Sequence, residues 1–169
     1  MRSLIALIVT VLLAGHAFAQ TTVEEVENKE NVNVSETAIQ NNVTINVTEI
    51  AAAIAKDGSA AIYGLEFAFN SAEILPASEP VLKAMASYLV GSPSQTILLV
   101  GHTDNVGSLD VNLTLSQKRA QAVMNALTSQ YKIPAEQLQS HGIGFLSPVA
   151  SNTTDEGRAK NRRVEMVPR

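Results

Sequence analysis

Two side chains of opposite charge, Asp104 and Arg119, lie 15 residues apart in one polar stretch, Gly101 to Arg119, which reads G-H-T-D-N-V-G-S-L-D-V-N-L-T-L-S-Q-K-R. A carboxylate can hold an ammonium, and a guanidinium can hold a carboxylate in a two-pronged fork. Together they would form a dipolar clamp for a zwitterionic amino-acid end, which presents both groups. The same two residues can also neutralise each other, and residue types alone do not choose. Other groupings are less apt. His102, Asp104 and Ser108 or Ser116 hold the parts of a nucleophilic triad, but neither serine sits in a nucleophile-elbow pattern. His102, Asp104 and His141 offer three zinc ligands without the spacing of a zinc motif. No catalytic residue, metal or cofactor is therefore expected, and His102 reads as a hydrogen-bonded residue ending a strand.

The stretch is a strand-to-helix connection. Thr96-Ile97-Leu98-Leu99-Val100 before it are β-formers, and Ala120, Val123, Met124 and Leu127 after it recur at i, i+3, i+4, i+7. With Thr114 or Ser116 as the N-cap, Lys118 and Arg119 fall in the first helical turn. The partial positive charge there disfavours a cation by about a few tenths of a kcal/mol, so an Arg in that place suggests that an anion joins it.

Around it the sequence predicts a short helix over Glu49–Lys56, stopped by Asp57-Gly58. A strand over Ala61–Phe69 follows, with Tyr63, Leu65, Phe67 and Phe69 on one face by alternation. A helix starts at Ser78-Glu79-Pro80 with a stripe of Leu82, Met85, Ala86 and Leu89, and Gly91 and Pro93 end it. Pro134 opens a short helical turn, Leu138–Gly142 is a third strand, and Arg163–Val167 is the last, with Val164 and Met166 facing one way. The order β-α-β-α-β-β gives an α/β fold, an α+β sandwich of a mixed four-stranded sheet with helices packed on it.

Several spaced motifs carry a family resemblance. G-H-T-D-x-x-G-S is followed by N-x-x-L-S-x-x-R-A. Later come Gly142-x-Gly144, Pro148-Val149-Ala150-Ser151-Asn152, and Gly157-Arg158-Ala159-x-Asn161-Arg162-Arg163-Val164-Glu165. Over roughly Ala61 to Val167 the chain resembles the OmpA-like C-terminal domain, the peptidoglycan-binding module of Gram-negative envelope proteins. The resemblance implies a non-catalytic domain that grips the diaminopimelate of the stem peptide, Asp104 meeting the ammonium and Arg119 the carboxylate. It also puts Asn70 and Asn112 in loops that line the pocket, though each fits turn chemistry equally well. Thr103 can bond ligand or cap the loop, and Arg162 or Arg163 can help hold ligand or carry solvated charge. Gly101 and Gly107 answer backbone demands. Ala68 stands where relatives often carry Asp or Asn, and Val111 where they often carry an aromatic.

The ends of the chain are of different character. Arg2, the apolar run Leu4–Leu13 and Ala17-Phe18-Ala19 resemble a cleavable export signal over residues 1–19, with an apolar run too short to span a bilayer. Residues 20–48 read as an acidic, Asn-rich linker, mostly disordered, save for an alternating piece Val43-x-Ile45-x-Val47, and residues 49–169 as the domain. From Gln20 to Gly58 seven acids face two bases, whereas from Ser59 onward there are nine of each. That asymmetry says tail plus domain, with an envelope protein as a candidate partner of the tail. A domain of zero net charge is a poor nucleic-acid binder. There are no cysteines, so no disulfide framework, thiolate metal site or lipid-bearing N-terminal Cys is expected. The expected place is the periplasm, in association with the cell wall or at the outer membrane, with no transmembrane segment after the signal.

Overall fold

The computed structural model describes residues 46–169. The expectations for the export signal, most of the linker, and Val43 and Ile45 fall outside the described residues. Helix α1 spans Val47–Asp57, two residues earlier than expected, and Val47 is its first residue rather than part of a strand. Its start is fixed by a capping box: the Asn46 side chain accepts from Glu49 N while the Glu49 carboxylate accepts from Asn46 N. Gly58, at φ 77°, closes its far end. Strand β1 (Ala60–Ile62) is far shorter than the Ala61–Phe69 the alternation suggested. Gly64 at φ 80° breaks the extended run. Beyond it Phe67 makes only a single bridge to Ile74. Leu65 and Phe67 still pack against the core, but Phe69 is fully exposed at 101%.

A 3-10 turn at Pro76–Ser78 leads into α2 (Glu79–Gly91), and the expected stripe Leu82, Met85, Ala86 and Leu89 is buried, joined by Val81 and Tyr88. Strand β2 (Ile97–Gly101) alternates buried and half-buried residues, and α3 (Leu109–Tyr131) follows. After a 3-10 turn at Ala135–Gln137 come β3 (Leu138–Gly142), α4 (Asp155–Asn161) and β4 (Val164–Pro168).

The sheet order is β1-β4-β2-β3, with β2 and β3 parallel and the other pairs antiparallel. The mixed four-stranded α/β sheet matches the expectation. The order of elements gains a helix, α4, between the last two strands. Placing β4 beside β2 sets Arg163 against His102: the His102 N–H donates to the Arg163 carbonyl at 3.0 Å. The core lies between the sheet and the helices. Ile50, Ile62, Met85, Leu89, Ile97, Leu99, Val123, Leu127, Val164 and Met166 are all buried there, the last two on one side of β4 as alternation requires.

Candidate functional site

The connection from β2 to α3 is held from several sides. Thr103 N donates to Gly144 O at 3.0 Å, and Asp104 Oδ1 accepts from Val106 N at 3.1 Å. Gly107 turns the chain at φ 93°. Ser108 is the N-cap of α3, its hydroxyl accepting from Val111 N. The helix thus starts well before Thr114 or Ser116, and Arg119 is its eleventh residue, about three turns in. The expected conflict between Arg119 and the helix dipole does not exist, since that field fades within the first turn. The first turn carries Asp110, the sign the dipole favours. Ser116, rather than capping the helix, is fully buried in its middle, where it donates to Leu113 O and accepts from Gly144 N.

Asp104 and Arg119 do not bond each other in the structure. Asp104 Oδ2 accepts from Arg162 Nη1 at 2.7 Å, with the carboxylate mostly buried and the Arg162 side chain about half exposed. Like Arg162, Arg119 lines a cavity of about 270 Å³. Its Nε donates to Ser71 O at 3.0 Å, and its guanidinium carbon stands 4.9 Å from the centre of the Phe67 ring. The cation therefore stands over an aromatic ring within cation–π reach, and among the described residues its Nη groups make no hydrogen bond to the protein. Burial, and after it the like charge of Arg162, push the Arg119 pKa below its ordinary value, while Asp104 works the other way. Such an environment still leaves an arginine charged, and the burial and the neighbouring cation both make an anionic guest welcome.

The cavity is walled by Leu65, Phe67, Leu75 and Val164 and carries Glu66, His102, Arg119, Arg162 and Arg163 as polar groups. His102 is buried, yet neither ring nitrogen has a hydrogen-bond partner among the described residues, contrary to the expectation of a bonded strand-end residue. Nε2 stands 3.5 Å from Glu165 Oε1, too far for a good bond. Burial, then the charge of Arg163, bring the His102 pKa down to about 4, with Glu165 opposing. Arg163 bonds Glu165 through Nε and Nη2 and reaches the carbonyls of Asn161 and Ser147, tying β4 to the loop before α4.

The supporting residues separate. Asn112 is buried and its amide donates to Val106 O and Ser108 O, which is loop chemistry. Thr103 is buried with Oγ1 unpartnered among the described residues. Asn70 is exposed, adopts φ 50°, and lines a second, more open groove of about 630 Å³ instead of the cavity. That groove runs between Asn70–Ala72 and the α3 residues Asp110, Val111, Thr114, Leu115 and Lys118. Arg162, only a weak candidate from sequence, is the direct partner of Asp104. Phe67 and the Ser71 carbonyl, which orient Arg119, were not anticipated; the aromatic at the end of an apolar run was the one available signal.

The model of the OmpA family matches residues 66–162, more than half of the chain. The chain is 40% identical over 101 residues to the probable lipoprotein YiaD of Escherichia coli, covering 60% of this chain and 46% of that protein. It is 38% identical over 103 residues to the peptidoglycan-binding protein ArfA of Mycobacterium bovis, covering 61% of this chain and 31% of that one. The chain thus spans less than half the length of either relative. Among solved structures, the peptidoglycan-associated lipoprotein of Burkholderia pseudomallei aligns with a TM-score of 0.56 at 34% identity, covering 64% of this chain and 89% of that one.

Proposed function

The chain belongs to the OmpA family, and from that premise we propose that its folded part is a non-catalytic peptidoglycan-binding domain that anchors the protein to the cell wall. The observation that carries the reading is that Arg119 lines the cavity together with Arg162, the ion-pair partner of Asp104, and that the Arg119 Nη groups make no hydrogen bond among the described residues. A diaminopimelate side chain ends in an ammonium and a carboxylate. Asp104 takes the ammonium and Arg119 the carboxylate, while Arg162 yields part of its hold on Asp104 and swings toward the ligand. Thr103 lies next to Asp104 with a hydroxyl that has no partner among the described residues, and Asn112 holds the loop that presents the carboxylate. Asn70 stands outside the cavity, at the neighbouring groove. Within this reading, residues 1–19 serve as the export signal and residues 20–48 as an acidic linker open to a second envelope protein. The protein then works in the periplasm or at the outer membrane.

The test is titration calorimetry against stem peptides, backed by co-sedimentation with purified sacculi. Each charge-assisted contact contributes roughly 1.5–3 kcal/mol, so Arg119→Ala and Asp104→Asn should each weaken binding about tenfold to a hundredfold. A peptide with lysine in place of diaminopimelate lacks the side-chain carboxylate and should bind the native chain far less well. Arg119→Ala should narrow that preference, because the reader of the difference is gone. Equal native affinity for both peptides, or full binding by a folded Arg119→Ala chain, would overturn the assignment.

A further inference from the structure

The groove beside the cavity plays no part in the clamp, and its charges are laid out in order. Asp110 sits in the first turn of α3 and Lys118 eight residues later, about 12 Å along the axis at ~1.5 Å per residue. Neither forms an ion pair among the described residues. The Lys118 end adjoins the clamp. Lys118 directly precedes Arg119 on the helix, and the Ser71 carbonyl that accepts from Arg119 Nε belongs to a residue of the groove wall. Arg119 of the cavity and Ser71 of the groove are therefore in direct contact. A ligand gripped by Arg119 and continuing into the groove meets the Lys118 ammonium first, with the Asp110 carboxylate two turns away.

The group that suits this place is a second carboxylate, one residue removed from the first. In a stem peptide the residue before diaminopimelate is a glutamate joined through its γ-carboxyl, which leaves its α-carboxylate free. We infer that the groove is a second subsite for the stem peptide, in which Lys118 pairs with the free α-carboxylate of this γ-linked glutamate. The inference rests on the diaminopimelate reading of the cavity and assigns the neighbouring unit of the same ligand. Lys118 is exposed, so the pair is worth less than a buried one and weakens with salt.

Three ligands separate the two ideas by titration calorimetry on the folded chain at low ionic strength: free diaminopimelate, the tripeptide L-Ala-γ-D-Glu-diaminopimelate, and the same tripeptide with the glutamate α-carboxylate amidated. The native chain should prefer the acid tripeptide to the amide by about two- to tenfold, from a typical exposed ion pair up to the weakest charge-assisted bond. Lys118→Gln should bind both tripeptides with the affinity the native chain has for the amide, and should hold free diaminopimelate as before. Lys118→Arg should keep most of the preference. Native binding of free diaminopimelate with no preference between the tripeptides, or a preference that survives in Lys118→Gln, would overturn the subsite alone. Failure of all three ligands to bind would overturn the clamp and the subsite together.

Discussion

At the scale of single residues, Asp104 and Arg119 stand out as candidates because their types and loop are distinctive, whereas their immediate partners do not. Arg162 is 58 residues from Asp104, and only the placement of β4 beside β2 brings them together. The supposed clash of Arg119 with its helix dipole came from starting α3 at the wrong hydroxyl residue; Ser108, Thr114 and Ser116 all suit an N-cap, and only the backbone chooses. His102 is the residue whose environment sequence could least foretell. Its pKa falls from 6.5 to about 4 through burial and the nearby Arg163 charge. The folded state thus takes up the proton less readily than the unfolded chain. The contribution of the neutral imidazole to stability is fully present above pH 6.5 and is lost as pH drops toward 4, by an amount on the order of 3 kcal/mol at most. Urea unfolding of the native chain and of His102→Gln between pH 7.5 and 4.5 should show a steeper loss for the native chain. Parallel curves would mean that another group governs the acid limb.

At the scale of elements, apolar period identified α2, the second half of α3, β2 and β4, because each buries one apolar face in the core between the sheet and the helices. It failed where side-chain hydrogen bonds rather than apolar contacts hold the chain. Helix α4 has no apolar stripe. It is fixed by the Thr154 cap at one end and by Asn161 at the other, fully buried, accepting from Val149 N and Ala150 N and donating to Ala150 O and Asn152 Oδ1. Its charges, Asp155 and Glu156 first and Arg158 and Lys160 last, were the readable sign. The seat of α3 on the sheet depends on two glycines at strand ends. A Cβ on Gly101 would fall 2.2 Å from Ser116 O, and one on Gly142 2.0 Å from Gln117 N, both backbone atoms of α3. Gly142→Ala should therefore destabilise the fold by about 1–3 kcal/mol or more. It should also lower affinity for the stem peptide, because α3 carries Arg119. Gly91→Ala meets nothing within 4 Å in the last position of α2, and should be neutral or stabilising by up to about 1 kcal/mol. Equal unfolding midpoints for the two variants would contradict the close seating of α3.

At the scale of the molecule, the family match begins at residue 66, but the core begins earlier. Ile50 of α1 is 0% exposed and belongs to the same cluster as Met85, Leu89 and Met166, with Ala53 and Ile54 packed against it. The capping box at Asn46 and the Gly58 cap show that α1 is specified at both ends by its own residues. α1 rests on α2 and β1, and β1 is the edge strand beside β4, so removing the helix uncovers α2 and that edge of the sheet. Burying one large aliphatic side chain contributes roughly 1.5–3 kcal/mol, and the half-buried Ile54 and Ala53 add to that. A chain beginning at Ser59 should therefore be about 3–5 kcal/mol less stable than one beginning at Asn46, a large share of the roughly 5–15 kcal/mol typical of a domain. The shorter chain holds every residue of the family match and of the proposed clamp. It should still bind the stem peptide under conditions where it is folded, with an affinity that falls on warming well before that of the longer chain. Urea denaturation of the two chains, with calorimetry at two temperatures, decides the matter. Indistinguishable unfolding midpoints would place α1 outside the cooperative unit and show that the domain is bounded by the family match alone.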